Sequence, residues 1–159
     1  MVAVELEGQV QLAVLGAAAP CPNVHVPTRL GRPPRVFFGA PPPRWLAAIE
    51  TGEDEWTIQR TDAPPEIWRT VPGREVLGLL EKEWSPPKPA LAFVDAGRKT
   101  LGLFRPDGWE PVVVSETRIA HAAASSVARD VAYVTERGDL AVYSVYSKGV
   151  VARVTRSGR

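Results

Sequence analysis

The side chains that can carry out nucleophilic or metal chemistry are few and widely separated. Cys21 is the only cysteine and stands between two prolines, with no helix start or basic neighbour to activate its thiol. The two histidines, His25 and His121, lie in separate segments, and no Cys or His spacing resembles a zinc site. Nucleophile-elbow, P-loop, dinucleotide-binding and H-E-x-x-H patterns are absent from the sequence. The sequence therefore predicts no catalytic residue, no metal site and no cofactor.

The carboxylates in ETGEDE, residues 50–55, form the one acidic cluster. Paired carboxylates can act as acid and base or bind a cation. Adjacent acids at a turn between short elements are usually solvated, and no EF-hand spacing is present, so we expect surface charge here. An enzyme whose polar groups converge only in three dimensions, around these carboxylates and His121, stays open as one alternative.

Tryptophan is the most unusual component of the sequence, with five residues in 159. Several stand beside arginine, as in EIWRT at 66–70. Packing in a core is the first interpretation, and a protein interface is the second, because Trp and Arg are enriched at binding hot spots. Stacking on bases or sugars ranks last. The candidate interface residues are Trp45, Trp56, Trp68, Arg69 and Trp109.

Charge and hydropathy exclude several classes of partner. The chain carries 19 Lys and Arg against 18 Asp and Glu, so no basic surplus favours nucleic acid or an anionic membrane. No apolar run approaches the roughly 18–20 residues that span a bilayer. The N-terminal segment has Glu5 and Glu7 where a signal peptide would have basic residues. With its single cysteine, the sequence predicts a soluble cytoplasmic protein of one domain.

Proline divides the first two thirds of the chain into short pieces. All 16 prolines lie at or before Pro111, in clusters that mark connections between elements. Between them lie short alternating or apolar runs such as 35–40, 55–61, 90–96 and 100–105. Many short strands at this spacing predict an all-β or mainly β fold.

Two segments favour helix and leave an α+β alternative open. Residues 44–50 follow PPP and precede a glycine, an arrangement typical of a short helix. Residues 74–84 place Val76, Leu77, Leu80 and Trp84 on one helical face.

A repeat of about 40 residues organises the C-terminal half. LAFV at 91–94 matches VAYV at 131–134 at an offset of 40, and 101–104 matches 140–143 at 39. Each copy reads as an apolar strand, a charged glycine turn, an alternating strand and a valine-rich strand, with a further strand upstream. The sequence thus predicts antiparallel four-stranded repeats at 74–117 and 118–157 and a degenerate copy at 35–73, preceded by strands and a Pro-rich loop at 1–34.

These repeats resemble β-propeller blades, in the manner of divergent bacterial propellers. The Gly-His and Trp-Asp dipeptides of the WD-repeat class are absent. The resemblance implies a partial or small β-propeller, because 159 residues hold at most four units of this length. The resemblance assigns no functional role to any residue of this chain.

An incomplete ring would leave a blade face and sheet edges open. We therefore expect a non-enzymatic interaction module, a scaffold or regulatory subunit, that completes its fold by self-association or with a protein partner. No nucleic acid and no membrane is predicted as a partner. The first alternative is a regulator or inhibitor that sequesters a protein through its proline-rich N-terminal half, and the second is the enzyme described above.

Overall fold

The computed structural model describes residues 2–6, 9–13, 24–39, 46–60, 63–84, 87–126 and 129–156. Every regular element in these ranges is a β-strand, which confirms the all-β prediction. The fifteen strands among the described residues are β1 (Val2–Leu6), β2 (Gln9–Ala13), β3 (Val24–Pro27), β4 (Val36–Phe38), β5 (Leu46–Gly52), β6 (Glu55–Arg60), β7 (Glu66–Arg69), β8 (Glu75–Trp84), β9 (Pro87–Val94), β10 (Thr100–Arg105), β11 (Gly108–Val114), β12 (Ile119–Ser125), β13 (Asp130–Thr135), β14 (Leu140–Ser144) and β15 (Gly149–Val154).

The α+β alternative is wrong for both segments that favoured helix. The described part of 44–50 belongs to β5, and 75–84 is β8, the longest strand. Leu79 and Leu80 of β8 are adjacent and both buried, so the strand is apolar on both faces. A strand buried on both faces reads as a continuous apolar run, which periodicity alone does not separate from a buried helix.

The strands form one three-stranded sheet and three four-stranded sheets, all antiparallel. The strand orders are β1-β2-β3, β4-β5-β6-β7, β11-β10-β9-β8 and β12-β13-β14-β15. Each four-stranded sheet is a simple meander and lies inside one predicted repeat, at 36–69, 75–114 and 119–154. The repeated four-stranded unit is therefore confirmed.

The chain divides into two compact units, residues 1–70 and 71–159. In the N-terminal unit, Val10 and Val26 of the first sheet pack against Ala47 and Ile49 of β5. The prediction of a single domain stays a prediction.

The C-terminal unit is built by packing the β8–β11 sheet on the β12–β15 sheet, called here the last sheet. Alternate residues of β9 and β10 (Ala90, Ala92, Val94, Leu101, Leu103) form one core with alternate residues of the last sheet (Val131, Tyr133, Ala141, Tyr143). Because side chains alternate across a strand, one apolar set serves this core and the other set faces away.

Arg98 joins the two sheets at one end of this core. It adopts a left-handed backbone conformation (φ 56°) in the β9–β10 turn. Its Nε donates to the carbonyl of Ile119 at 2.8 Å and its Nη2 to that of Ala120 at 3.0 Å, both on β12. The side chain therefore fixes the start of β12 against the preceding turn.

Gly102 gives a direct test of the β9–β10 packing. A Cβ at this position would collide with the Phe93 ring, 2.8 Å from Cε1, and lie 3.1 Å from the Glu110 carbonyl oxygen. Phe93 is 1% exposed and lies between the Trp109 ring and the Arg74 guanidinium, so it has little room to move. We expect Gly102→Ala to lower the free energy of unfolding by about 1 to 3 kcal/mol in chemical denaturation.

Gly149→Ala is the matched control, since the nearest atom to its added Cβ would be the Ser147 carbonyl oxygen at 3.9 Å. Equal stability of the two variants would contradict the close packing at Gly102.

Candidate interaction surface

One face of the last sheet remains uncovered in the C-terminal unit, and we call it the outer face. Its residues are set by register, because cross-strand partners lie on the same side of a sheet. Val134 pairs with Leu140, and Leu140 with Val154; Ala132 pairs with Val142, and Val142 with Ala152. Leu140 is 42% exposed and Val154 65%. The outer face is thus a contiguous apolar surface.

The repeat shows that the outer face has a buried counterpart in the same unit. Ala132 and Val134 correspond to Ala92 and Val94, and Leu140 and Val142 to Leu101 and Leu103. Ala92, Val94, Leu101 and Leu103 are at most 3% exposed, because the last sheet packs on them. The equivalent apolar residues of the outer face are not covered by any sheet among the described residues of this unit.

The outer face ends in an apolar edge strand. β15 is the outermost strand of its sheet, and Val150, Val151 and Val154 are 45%, 56% and 65% exposed. β11, the corresponding edge of the preceding sheet, contains Pro111, which removes a backbone donor. β15 contains no proline, so its outward-facing backbone N–H groups remain able to pair with another strand.

The predicted interface residues do not come together at this surface. Trp56 is 1% exposed and stacks on Phe37 with centroids 5.5 Å apart, while Arg35 lies over its ring at 5.2 Å. Trp68 pairs with Trp56 in register and is 3% exposed; its Nε1 donates to Glu66 at 3.1 Å. Both rings are therefore packed within the N-terminal unit.

The other three candidates differ in exposure. Arg69 is an exposed residue of β7, 3.2 Å from the Glu55 carboxylate. Trp109 is 52% exposed on β11; it contacts Phe93 edge-on at 6.4 Å, and Arg74 lies over both rings. Trp45 lies outside the described residues. The interface role of these five residues stays a prediction. The outer face is identified by a different signal, the strand register taken together with the sequence repeat.

Glu50 departs from the expectation of solvated surface charge. Its side chain is 4% exposed, and its Oε1 lies 2.7 Å from Arg32 and 2.9 Å from Arg35. Arg35 also donates its backbone N–H to Oε2 at 3.2 Å. Burial alone would raise the pKa of Glu50, but the hydrogen bonds from both arginines outweigh it and hold the pKa at about 2. Glu50 is thus a structural anion that anchors the segment before β4.

The described residues contain no group of three or more His, Cys, Asp and Glu able to hold a metal ion. His121 is exposed on β12, and Cys21 lies outside the described ranges. Nowhere in those ranges is there a helix of the length and apolar character that crossing a membrane requires.

Comparison with known proteins gives likeness in structure alone. No family model and no curated protein sequence matches the chain. Two structures of AztD from Citrobacter koseri, one of them the apo form, align with TM-scores of 0.47 and 0.45 at 18% identity over 98% of this chain. Hsv2 of Kluyveromyces lactis aligns with a TM-score of 0.49 at 14% identity over 91%. The chain spans 45–46% of the length of these proteins.

The Glu50 anchor predicts a specific pH dependence of stability. The folded pKa of about 2 lies below the ordinary value of 4.5, so the unfolded state binds the proton more readily. The stabilisation is present above pH 4.5 and is lost as the pH falls towards 2. We expect Glu50→Gln to cost about 3 kcal/mol at pH 7 and progressively less below pH 4.5 in urea denaturation.

The neighbouring acid Glu53 is exposed, and Glu53→Gln serves as the control. A constant difference between the two variants from pH 7 to pH 2 would contradict the role of the Glu50 charge.

Proposed function

We propose that this chain is a non-enzymatic, β-propeller-like interaction module that self-associates through the outer face. The observation that supports this is the repeat equivalence between the outer face and the buried face of the β8–β11 sheet. Within one unit, Ala92, Val94, Leu101 and Leu103 are at most 3% exposed beneath the last sheet, whereas Leu140 on the outer face is 42% exposed and no described sheet of the unit covers that face.

The expected occupant is another β-sheet. Ala132, Val134, Leu140 and Val142 of the outer face are small or aliphatic, and register also places His121 and Asp130 on this face. In the preceding sheet the equivalent apolar residues pack against alternate residues of an antiparallel sheet. The open edge of β15 adjoins this face, so a docked sheet would meet main-chain groups as well as side chains. A second copy of the chain provides such a sheet with the same face.

Charge permits the two copies to approach each other. Along the four strands, Asp130 at one corner is the only carboxylate, lysine or arginine on the outer face. A two-fold contact brings the same patch together from both copies, so a charged face would repel itself. The uncharged centre around Val142 avoids that repulsion.

The size of the face sets the expected strength of the contact. Four strands with about five paired residues each present roughly 300 Å² per copy. Stable interfaces bury about 800 Å² per partner, so we expect a weak dimer with a dissociation constant in the range of about 10 µM to 1 mM.

Sedimentation equilibrium of the full chain over about 10 µM to 1 mM tests the proposal. The native chain is expected to pass from monomer to dimer across this range. The double variant Leu140→Glu, Val154→Glu places like charges on the outer face and is expected to stay monomeric. Both positions are exposed, so the fold is expected to tolerate the change.

Tyr146→Glu is the matched control, because Tyr146 is a 77% exposed aromatic residue in the β14–β15 turn, outside the outer face. A native chain that is monomeric at 1 mM, or a double variant that dimerises like the control, overturns the proposal.

A further inference from the structure

A polar pocket of about 250 Å³ lies between the end of β11 and the inner side of the last sheet. Val114 and Glu116 bound it from one side, and Tyr133, Arg137, Asp139 and Arg153 from the other. The residues of the outer face discussed above do not line it. The pocket is therefore a separate feature of the C-terminal unit.

Three of the four charged residues of this pocket are exposed side chains without a described partner, and the fourth, Asp139, accepts the backbone N–H of Arg156 at 3.2 Å. Neither Arg137 nor Arg153 forms an ion pair or a side-chain hydrogen bond with the described residues, and the same holds for Glu116. Other arginines of the unit are engaged, as Arg98 is with β12 and Arg105 is with Asp107 at 3.4 Å. Two guanidinium groups and a carboxylate thus converge on the pocket with their bonding capacity unused.

Tyr133 adds a hydroxyl group to the wall of the pocket. The residue is 3% exposed, yet its hydroxyl forms no hydrogen bond with any described residue. The hydroxyl oxygen is not among the fully enclosed atoms that lack a partner, so it is accessible from the pocket that Tyr133 lines. It is therefore available to solvent or to a molecule bound there.

A second pocket, of about 270 Å³, lies in the corresponding place of the N-terminal unit, beside the last residues of β3 and the strands of the next sheet. Its lining combines apolar residues with polar and charged ones: Val26, Pro27, Pro65, Ile67, Arg29, Thr51, Glu55, Thr57 and Gln59. It contains one arginine and one carboxylate, whereas the pocket of the C-terminal unit contains two of each. The pocket of the C-terminal unit is therefore the more highly charged of the two.

We propose that the polar pocket binds a small zwitterion, a molecule of the size of a free α-amino acid with one carboxylate and one ammonium group. Arg137 and Arg153 would receive the carboxylate, because a guanidinium matches its two oxygens. Glu116 would receive the ammonium group, and the Tyr133 hydroxyl would complete the hydrogen bonding. The pocket is smaller than the 300–1,000 Å³ typical of larger ligands.

The balance of charge distinguishes a zwitterion from a simple anion. The lining carries two guanidinium groups, Arg137 and Arg153, and two carboxylates, Glu116 and Asp139. A phosphate bound by both guanidinium groups would leave Glu116 and Asp139 without a counter-charge. A ligand with both charges satisfies both kinds of side chain.

Titration of the full chain, followed by NMR chemical shifts or calorimetry, tests the inference. The probes are glycine, L-serine and L-leucine, with acetate, methylamine and inorganic phosphate as single-charge comparisons. At least one amino acid is expected to bind at least about tenfold more tightly than each single-charge probe, since both halves of the site contribute. No binding of any amino acid at 10 mM, or equal binding of acetate or phosphate, overturns the proposal.

Variants then locate the binding. Arg153→Gln and Glu116→Gln change exposed residues and are each expected to weaken amino-acid binding at least about fivefold, without altering the thermal midpoint. Lys99→Gln, which removes an exposed cation outside the pocket, is expected to bind like the native chain. Loss of binding in the Lys99 variant, or unchanged binding in both pocket variants, overturns the site. The Leu140→Glu, Val154→Glu variant is expected to bind normally, which keeps this result independent of self-association.

Discussion

Face-to-face packing of short antiparallel sheets is the interaction on which the described structure depends. A meander of strands three to ten residues long buries little by itself and needs a second layer for stability. In the C-terminal unit that layer is supplied by the next sheet, which covers Ala92, Val94, Leu101 and Leu103. The same dependence applies to the outer face: the last sheet has apolar residues suited to a further layer, and no described sheet of its unit supplies that layer.

Arginine plays a second, structural role at the margins of these sheets. Arg32 and Arg35 enclose the buried carboxylate of Glu50, and Arg98 donates to two carbonyls of β12. In each case a guanidinium satisfies acceptors on another strand or loop, which fixes the connection that carries it. Arg137 and Arg153 differ from these residues, because both are exposed and form no ion pair or side-chain hydrogen bond with a described residue, which leaves them available to the ligand proposed for their pocket.

The repeat and the strands were predictable from local pattern, and the site was predictable only in part. Matching runs at 91–94 and 131–134 set the period, and the three four-stranded sheets lie inside the predicted ranges. Residues 75–84 were ambiguous because a strand buried on both faces has no alternating pattern. Tryptophan occurs in cores as well as at binding surfaces, so its presence in the sequence does not distinguish the two. Trp56 and Trp68 are buried. Which copy of a repeated apolar face is covered depends on neighbours distant in sequence.

By itself, the sequence determined the strand composition, the four-stranded period and the absence of recognisable catalytic motifs, because each depends on residues close together along the chain. The tertiary structure decided that Glu50 is a buried anion held by two arginines, that the outer face is open, and that Tyr133, Arg137 and Arg153 meet at one pocket. These properties depend on burial and on charge brought together between sheets. Neither is encoded in the spacing of residues within a single strand.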